Sequence, residues 1–165
     1  MAISKKITSY LEKEGYKYEI IEHKTTYTAW DVSQTEKIKP QEVGKTLVMK
    51  LDKDYVLGLL SANRNLDKKK FLKVVNLDRK KQGEKNSKKI DFAKEVWMKK
   101  NISGKVGAVA PFGKLLGLKV YVDSLLLKNK KLYLGSGEYT NSIKVNTKQY
   151  LKIEQPTKGV FSMKK

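Results

Sequence analysis

The residues best suited to chemistry lie in two glycine-rich stretches and at one lysine. Residues 104–113 read GKVGAVAPFG, and residues 135–137 read GSG. Glycine permits positive φ and close approach of the backbone to a ligand, while proline fixes φ and removes a donor. Such a loop can present bare N–H groups to an anion or to a developing oxyanion, or it can form a tight apolar turn between two core elements. Lys45, at the start of a predicted strand, would add a cation.

Several other kinds of catalytic site are excluded. The chain has no cysteine and one histidine, His23, so thiolate catalysis and a His/Cys metal cluster are ruled out. We expect neither a metal nor a cofactor. A Ser-His-acid triad would need His23 as its base, and no serine lies in a G-x-S-x-G turn. Residues 39–46 end like a phosphate-binding loop, but Lys39 replaces the first glycine and a strand pattern follows. A nucleotide triphosphatase is therefore excluded.

The charge is the strongest compositional signal. The 165 residues have a net charge of +19, and lysine supplies nearly all of the basic side chains. A protein this basic attracts polyanions, and lysine favours contact with a phosphate backbone over reading of individual bases. A general bias towards lysine on every surface is the alternative interpretation. The sequence shows neither a membrane-spanning run nor a signal-peptide core, so we expect a cytoplasmic protein without a membrane partner.

Hydrophobic periodicity predicts one domain over residues 1–165, with a core at about 3–153 and a loose C-terminal tail after Pro156. The order of elements favours an α+β fold, a mixed and mostly antiparallel, partly barrel-like sheet flanked by helices. Residues 76–90 are expected to form a solvated basic loop. The predicted helices cover residues 3–14, 67–75 and 91–100, and two more lie between Thr28 and Pro40 and from Thr147 onwards. In the helix at 91–100, Phe92, Val96 and Trp97 are expected to face inwards. The predicted strands are 16–22, 45–51, 55–62, 118–122, 132–134 and 143–145.

A family resemblance emerges from the order of short motifs along the chain. These are His23 with Thr28-Ala29, residues 44–48 (GKTLV), Ser61-Ala62-Asn63 with Leu66-Asp67, residues 107–113 (GAVAPFG), and residues 135–137 (GSG) before Ile143. In this order and spacing the chain resembles the YbaK/EbsC family over roughly residues 3–153. That family includes freestanding editing domains similar to the insertion domain of bacterial prolyl-tRNA synthetase.

The resemblance implies an aminoacyl-tRNA deacylase that hydrolyses, in trans, the ester of a mischarged tRNA, with cysteinyl-tRNA(Pro) as the leading substrate. It implies tRNA as a partner and prolyl-tRNA synthetase as a candidate partner. Lys45 and Gly107 fall on the family's catalytic positions, and the Gly107 and Ala108 amides are expected to polarise the ester carbonyl. The other substrate-binding candidates are His23, Thr28, Pro111, Gly135 and Ser136. The candidate tRNA contacts are Lys68, Lys69, Lys70, Lys80, Lys81, Lys88 and Lys89.

One departure from the family pattern concerns the amino acid that is removed. Relatives that act on cysteinyl-tRNA often have a serine where Gly135 aligns, with Ser136 one place later in this chain. The substrate could therefore be cysteine, alanine or another small residue. Two further interpretations remain open: a non-catalytic tRNA-binding or regulatory protein with the same fold, and a hydrolase of a small ester or thioester unrelated to tRNA.

Overall fold

The α+β fold predicted from the sequence is confirmed in a computed structural model, which describes residues 2–165. In this part of the chain, six α-helices accompany three separate β-sheets. The helices are α1 (Lys5–Lys13), α2 (Ala29–Thr35), α3 (Lys68–Lys81), α4 (Glu95–Asn101), α5 (Gly113–Leu116) and α6 (Thr147–Glu154). The strands are β1 (Tyr18–Glu22), β2 (Gly44–Leu51), β3 (Asp54–Ser61), β4 (Arg64–Leu66), β5 (Ile90–Phe92), β6 (Lys119–Asp123), β7 (Lys131–Gly135), β8 (Asn141–Asn146), β9 (Thr157–Gly159) and β10 (Ser162–Lys164).

The largest sheet has five strands in the order β5-β2-β3-β6-β9. The β5–β2 and β2–β3 pairs are antiparallel, whereas β3–β6 and β6–β9 are parallel. A three-stranded antiparallel sheet has the order β1-β8-β7, and β10 pairs with β4. A single parallel bridge, between Val43 and Tyr133, brings the start of β2 to β7. Within residues 2–165 these sheets do not close into a barrel.

The two faces of the β2–β3 hairpin contact different cores. Val48 and Leu59 face the main core, which the hairpin forms with the three-stranded sheet and the inner face of α1. Met49 and Leu60 face a second core beneath α3. Successive strand residues point to opposite faces, so neighbouring residues at the start of β2 are directed to different surfaces of the molecule.

Local sequence signals position several elements as predicted. The hairpin forms with Lys45 opposite Leu60. Thr28 is the N-cap of α2, because its hydroxyl accepts the N–H of Asp31 at 3.1 Å. Ser4 caps α1 in the same way. The last helix begins at Thr147 as expected, although the capping side chain is that of Asn146.

The solvated loop expected over residues 76–90 is confirmed for residues 82–89, which are exposed except for Ser87, but the prediction was wrong for residues 76–81. Helix α3 continues to Lys81 because Val75 and Asp78 are buried on its inner face. The Asp78 carboxylate accepts hydrogen bonds from Lys119 and from the Tyr121 hydroxyl. The chain then forms β5 before α4 begins.

The helix predicted over residues 91–100 begins later, at Glu95. Phe92 lies in β5 and Val96 in α4, and both are exposed rather than buried, so these two predictions were wrong. Trp97 packs against the main core and stacks on Tyr55, with ring centroids 3.4 Å apart.

The prediction of a loose tail after Pro156 was also wrong. Strands β9 and β10 pair with β6 and β4, and Phe161 between them is fully buried. Asp123 holds this segment: one carboxylate oxygen accepts the N–H groups of Phe161 and Ser162 at 2.9 and 3.1 Å. The other oxygen accepts the Ser162 hydroxyl at 2.8 Å. The tail is ordered by contacts that are distant in sequence.

Candidate active site

A small cavity of about 20 Å³ lies where four elements meet. These are the start of β2, the end of β7 with the start of β8, the loop at residues 107–109, and the segment that leads into α2. Its lining combines small apolar side chains with hydroxyls and backbone. The lining residues are Thr26, Thr28, Ala29, Val32, Val43, Gly44, Thr46, Gly107, Ala108, Val109, Tyr133, Leu134, Gly135, Glu138, Asn141 and Ser142.

Two glycines allow the backbone segments of this cavity to approach each other. Gly107 has φ +88°, and a Cβ there would lie 2.1 Å from the carbonyl oxygen of Tyr27. A Cβ on Gly135 would lie 2.5 Å from the oxygen of Val109. Neither distance is compatible with a side chain, so glycine is required at both positions for this arrangement.

The loop between residues 104 and 113 is held at both ends by tyrosine hydroxyls. Tyr139 donates to the carbonyl oxygen of Val106, and Tyr150 donates to that of Pro111, each at 2.6 Å. The N–H of Gly137 donates to the oxygen of Ala108 at 2.7 Å. These bonds tie the loop to the turn between β7 and β8 at one end and to helix α6 at the other.

Backbone donors remain available on this loop. In the described chain, the N–H groups of Gly107 and Val109 donate to no protein acceptor. The N–H of Ala108 instead donates to the oxygen of Lys105 at 3.0 Å. The N–H of Ala108 is therefore already engaged within the loop, while Ala108 itself lines the cavity.

A serine–histidine pair, which the sequence did not reveal, lies beside the cavity. His23 Nδ1 is 2.8 Å from the carbonyl oxygen of Lys24, which can only accept, so Nδ1 bears the hydrogen. In the neutral ring, Nε2 then accepts from the Ser142 hydroxyl at 3.0 Å. Ser142 lines the cavity. The strand register places it on the same face as Ile21 and Tyr133, which pack against α2.

The remaining polar groups of the cavity have distinct roles. The hydroxyl oxygen of Thr46 is buried and has no hydrogen-bond partner within residues 2–165, so it is a candidate to bind a substrate group. The hydroxyl of Thr28 already caps α2. Glu138 forms an ion pair with Lys105 at 2.8 Å.

Lys45 is directed away from this cavity. It lies between Gly44 and Thr46 in β2 but on the opposite face of the sheet, where its ammonium group donates to the carbonyl oxygen of Arg64. It lines a neighbouring groove with Asn65, Leu66 and Phe92. Burial, together with the charge of Lys165, lowers the pKa of Lys45 to about 8. The structure therefore separates Lys45 from Gly107, although one strand positions both the lysine and part of the cavity wall.

Pro111 and Ser136 also lie outside the cavity lining. Pro111 is buried behind the loop and offers its carbonyl oxygen to Tyr150. The hydroxyl of Ser136 is buried and donates to the oxygen of Asn141 at 2.9 Å. Both residues shape the segments that form the cavity. Of the predicted substrate-binding residues, Thr28, Ala108 and Gly135 line the cavity itself, and His23 reaches it through Ser142.

Comparison with known proteins identifies the family. A model of the aminoacyl-tRNA editing domain matches residues 23–153, which is most of the chain. The chain belongs to the aminoacyl-tRNA editing domain family. No curated protein matches it.

Solved structures share the fold of this editing domain. The hypothetical protein APE2540 superimposes with a TM-score of 0.80 at 17% identity, over 96% of this chain and 100% of the other. A candidate trans-editing enzyme for prolyl-tRNA synthetase superimposes with a TM-score of 0.76 at 20% identity, over 98% and 99% of the two chains. At these identities the likeness concerns the fold alone.

The lysines predicted to bind tRNA lie at the two ends of helix α3 and just before β5. Lys68, Lys69 and Lys70 form the first turn of α3, and Lys68 and Lys69 line the same groove as Lys45. Lys68 also forms an ion pair with Asp91 at 2.9 Å. The other four, at the end of α3 and just before β5, are exposed: Lys80, Lys81, Lys88 and Lys89.

Within residues 2–165, no helix is both long and apolar enough to cross a bilayer. The same residues contain no cluster of three or more His, Asp or Glu side chains arranged to hold a metal ion.

Proposed function

We propose that this editing domain is a cytoplasmic enzyme that hydrolyses, in trans, the ester of a mischarged tRNA, with cysteinyl-tRNA(Pro) as the leading substrate. The observation that best supports the proposal is the cavity itself. It combines a small apolar wall with two unengaged N–H groups on a glycine loop that two tyrosines fix.

The loop amides would stabilise the reacting carbonyl. When water adds to the ester carbon, negative charge develops on the carbonyl oxygen. N–H groups that are already held in place stabilise this charge without reorganisation. Gly107 and Val109 are the donors in this proposal, and no protein nucleophile is required. The C–O bond to the ribose then breaks and the ribose oxygen takes a proton.

Ser142 and His23 would transfer a proton from the attacking water to the departing ribose oxygen. A water that is hydrogen-bonded to the Ser142 hydroxyl gives it a proton as the hydroxyl gives its own to His23 Nε2. His23 returns the proton along the same path to the departing ribose oxygen. The bond from Nδ1 to the Lys24 carbonyl keeps the ring in the tautomer that accepts at Nε2.

Removal of the Ser142 hydroxyl tests this role. We expect Ser142→Ala to lower kcat by about 100-fold, the usual scale for general acid–base assistance, with little change in KM. The matched control is Ser61→Ala, which removes another buried strand hydroxyl, one that donates to Gln41 at 2.9 Å. The control should lose a similar amount of stability and keep wild-type kcat. Equal kcat values in the two variants would contradict the proton path.

Lys45 would anchor the adenosine end of the substrate from the neighbouring groove, through ribose or phosphate oxygens. With a pKa of about 8, the side chain is cationic through most of the neutral range. Its attraction to phosphate should weaken as the pH rises through 8. In this arrangement Lys45 binds the nucleotide, while the loop amides bind the acyl group on the other face of β2.

The amino acid specificity depends on how the cavity is filled near Gly135. A serine at this position would clash with the Ala108–Val109 backbone, so this cavity cannot have the shape of the serine-containing sites in relatives. Discrimination between small side chains is modest for each methylene. Cysteine therefore competes with alanine and other small residues as the acyl group removed.

The experiment is a deacylation panel with cysteinyl-, alanyl-, seryl- and prolyl-tRNA, run with wild-type protein, Lys45→Ala and Lys45→Arg. We expect loss of label from one mischarged tRNA, a large increase in KM for Lys45→Ala, and partial rescue by Lys45→Arg. Lys45→Ala protein that folds normally and keeps full activity would refute the role of Lys45. If none of the four tRNAs is deacylated, the proposal that this protein is an enzyme is refuted.

The second candidate is a non-catalytic tRNA-binding protein, favoured by the charge of +19 and by the separation of Lys45 from the cavity. It predicts tRNA affinity that falls steeply with salt and no loss of label. A prolyl-tRNA synthetase partner is compatible with both candidates, and co-sedimentation with that enzyme would test it.

A further inference from the structure

Two aromatic rings, those of Trp30 and Phe92, are exposed, and each has a lysine ammonium group over its face. Trp30 is 41% exposed and Phe92 is 47% exposed. The ammonium group of Lys165 is 4.7 Å from the centroid of the Trp30 ring, and that of Lys68 is 4.8 Å from the centroid of the Phe92 ring. Proteins that bind single-stranded nucleic acid combine aromatic rings, on which bases stack, with cations that attract phosphate.

The two rings belong to one continuous surface. Trp30 follows Ala29, which lines the cavity. Lys165, over Trp30, follows Lys164, which pairs with Arg64, and the carbonyl oxygen of Arg64 accepts from Lys45. Lys45 in turn lines the groove of about 580 Å³ that contains Phe92. The surface therefore runs from the cavity past Trp30, Lys165 and Lys45 to Phe92.

The chemistry of the groove suits a nucleotide. Its apolar floor is formed by Leu47, Leu66, Phe92 and Met163, and its cations are Lys45, Lys68 and Lys69. The carboxylate in this lining, that of Asp67, is engaged with the N–H groups of Lys69 and Lys70 at the start of α3. The groove thus offers an apolar face for a base and a net positive rim for phosphates.

We propose that Trp30 and Phe92 are stacking platforms for the unpaired nucleotides at the 3′ end of tRNA, with Lys45, Lys68 and Lys165 as the phosphate contacts. This inference rests on the proposed function, since it places the nucleotides that lead to the ester. The terminal aminoacyl group would enter the cavity beside Trp30. The preceding unpaired bases would extend along the groove towards Phe92.

Tryptophan fluorescence tests the platform without any catalysis. The chain has two tryptophans, so Trp97→Phe leaves Trp30 as the only indole. We expect an RNA hairpin with the unpaired 3′ tail of tRNA to quench this fluorescence, and a blunt hairpin of the same stem to leave it almost unchanged. Equal quenching by the two hairpins, or none with either, would overturn the proposal for Trp30.

Kinetics test both platforms in the active protein. Loss of one stacking contact should raise the KM for mischarged tRNA by roughly 10-fold or more, with kcat nearly unchanged, in Trp30→Ala and in Phe92→Ala. Leu77→Ala is the matched control, because Leu77 is an exposed apolar side chain on α3 outside this surface. Wild-type KM in both aromatic variants would overturn the inference.

The two proposals can fail independently. If wild-type protein deacylates tRNA and neither aromatic variant is impaired, the stacking surface is wrong and the editing function stands. If wild-type protein never deacylates tRNA but the tailed hairpin alone quenches Trp30, the surface stands and the enzymatic proposal fails.

Discussion

Gly107→Ala is expected to reduce kcat/KM for mischarged tRNA by at least about 100-fold, the scale seen when a single oxyanion donor is lost. The added methyl group would lie 2.1 Å from the carbonyl oxygen of Tyr27 at a residue with φ +88°. Both the contact and the dihedral angle force the loop to move. The N–H groups of Gly107 and Val109 would move with it, away from the position in which they receive a carbonyl oxygen.

The matched control is Gly117→Ala. Gly117 also has positive φ, +69°, but a Cβ there meets nothing within 4 Å. Its replacement should cost only the left-handed backbone penalty of ~1–2 kcal/mol and leave activity intact. Urea unfolding and steady-state deacylation on both variants separate backbone strain from loss of the donors. Near wild-type kcat/KM in Gly107→Ala would contradict the proposed role of the loop.

Asp123→Ala is expected to lower the free energy of unfolding by about 3–5 kcal/mol, because a fully buried carboxylate with three hydrogen bonds is removed and its donors are left unpaired. The affected donors belong to residues 161–162. Strands β9 and β10 should detach, exposing Phe161, which packs on Phe71 with ring centroids 4.9 Å apart. Urea denaturation and hydrogen exchange over residues 157–165 would measure both effects.

Asp123→Asn provides the comparison. The amide oxygen can still accept the N–H groups of Phe161 and Ser162, so we expect a smaller loss, about 1–2 kcal/mol. If the urea midpoint of unfolding is the same for Asp123→Ala as for the wild-type protein, the carboxylate does not hold the C-terminal segment. The detached segment would also remove Lys165 from Trp30, so tRNA affinity should fall with stability in Asp123→Ala.

The parts of the fold that follow from local sequence were predictable. The β2–β3 hairpin follows from the alternation of residues 45–51, the Asp52-Lys53-Asp54 turn and the apolar run after it. Thr28 precedes an acidic residue at the right spacing for a capped helix. The short motifs at Lys45, Gly107 and Gly135 were sufficient to identify the family. The glycines were informative because the backbone geometry they permit is rare for other residues.

The parts that depend on distant contacts were not predictable in this way. The C-terminal segment is polar and short, and its order comes from Asp123, almost forty residues earlier in the chain. Ser142 is one polar residue of a strand, and only the pairing of β1 with β8 brings it to His23. The alternation of β2 indicates that Lys45 and Thr46 face opposite ways, but the sequence alone does not indicate which face the glycine loop covers.

The most direct test of the central claim is to count turnovers. Mischarged tRNA in large excess over wild-type protein should lose its amino acid through many cycles per protein molecule. Gly107→Ala, folded and still bound to tRNA, should do this at least about 100-fold more slowly. Release of at most one equivalent, or multiple turnover that persists undiminished in Gly107→Ala, would contradict catalysis by the glycine loop.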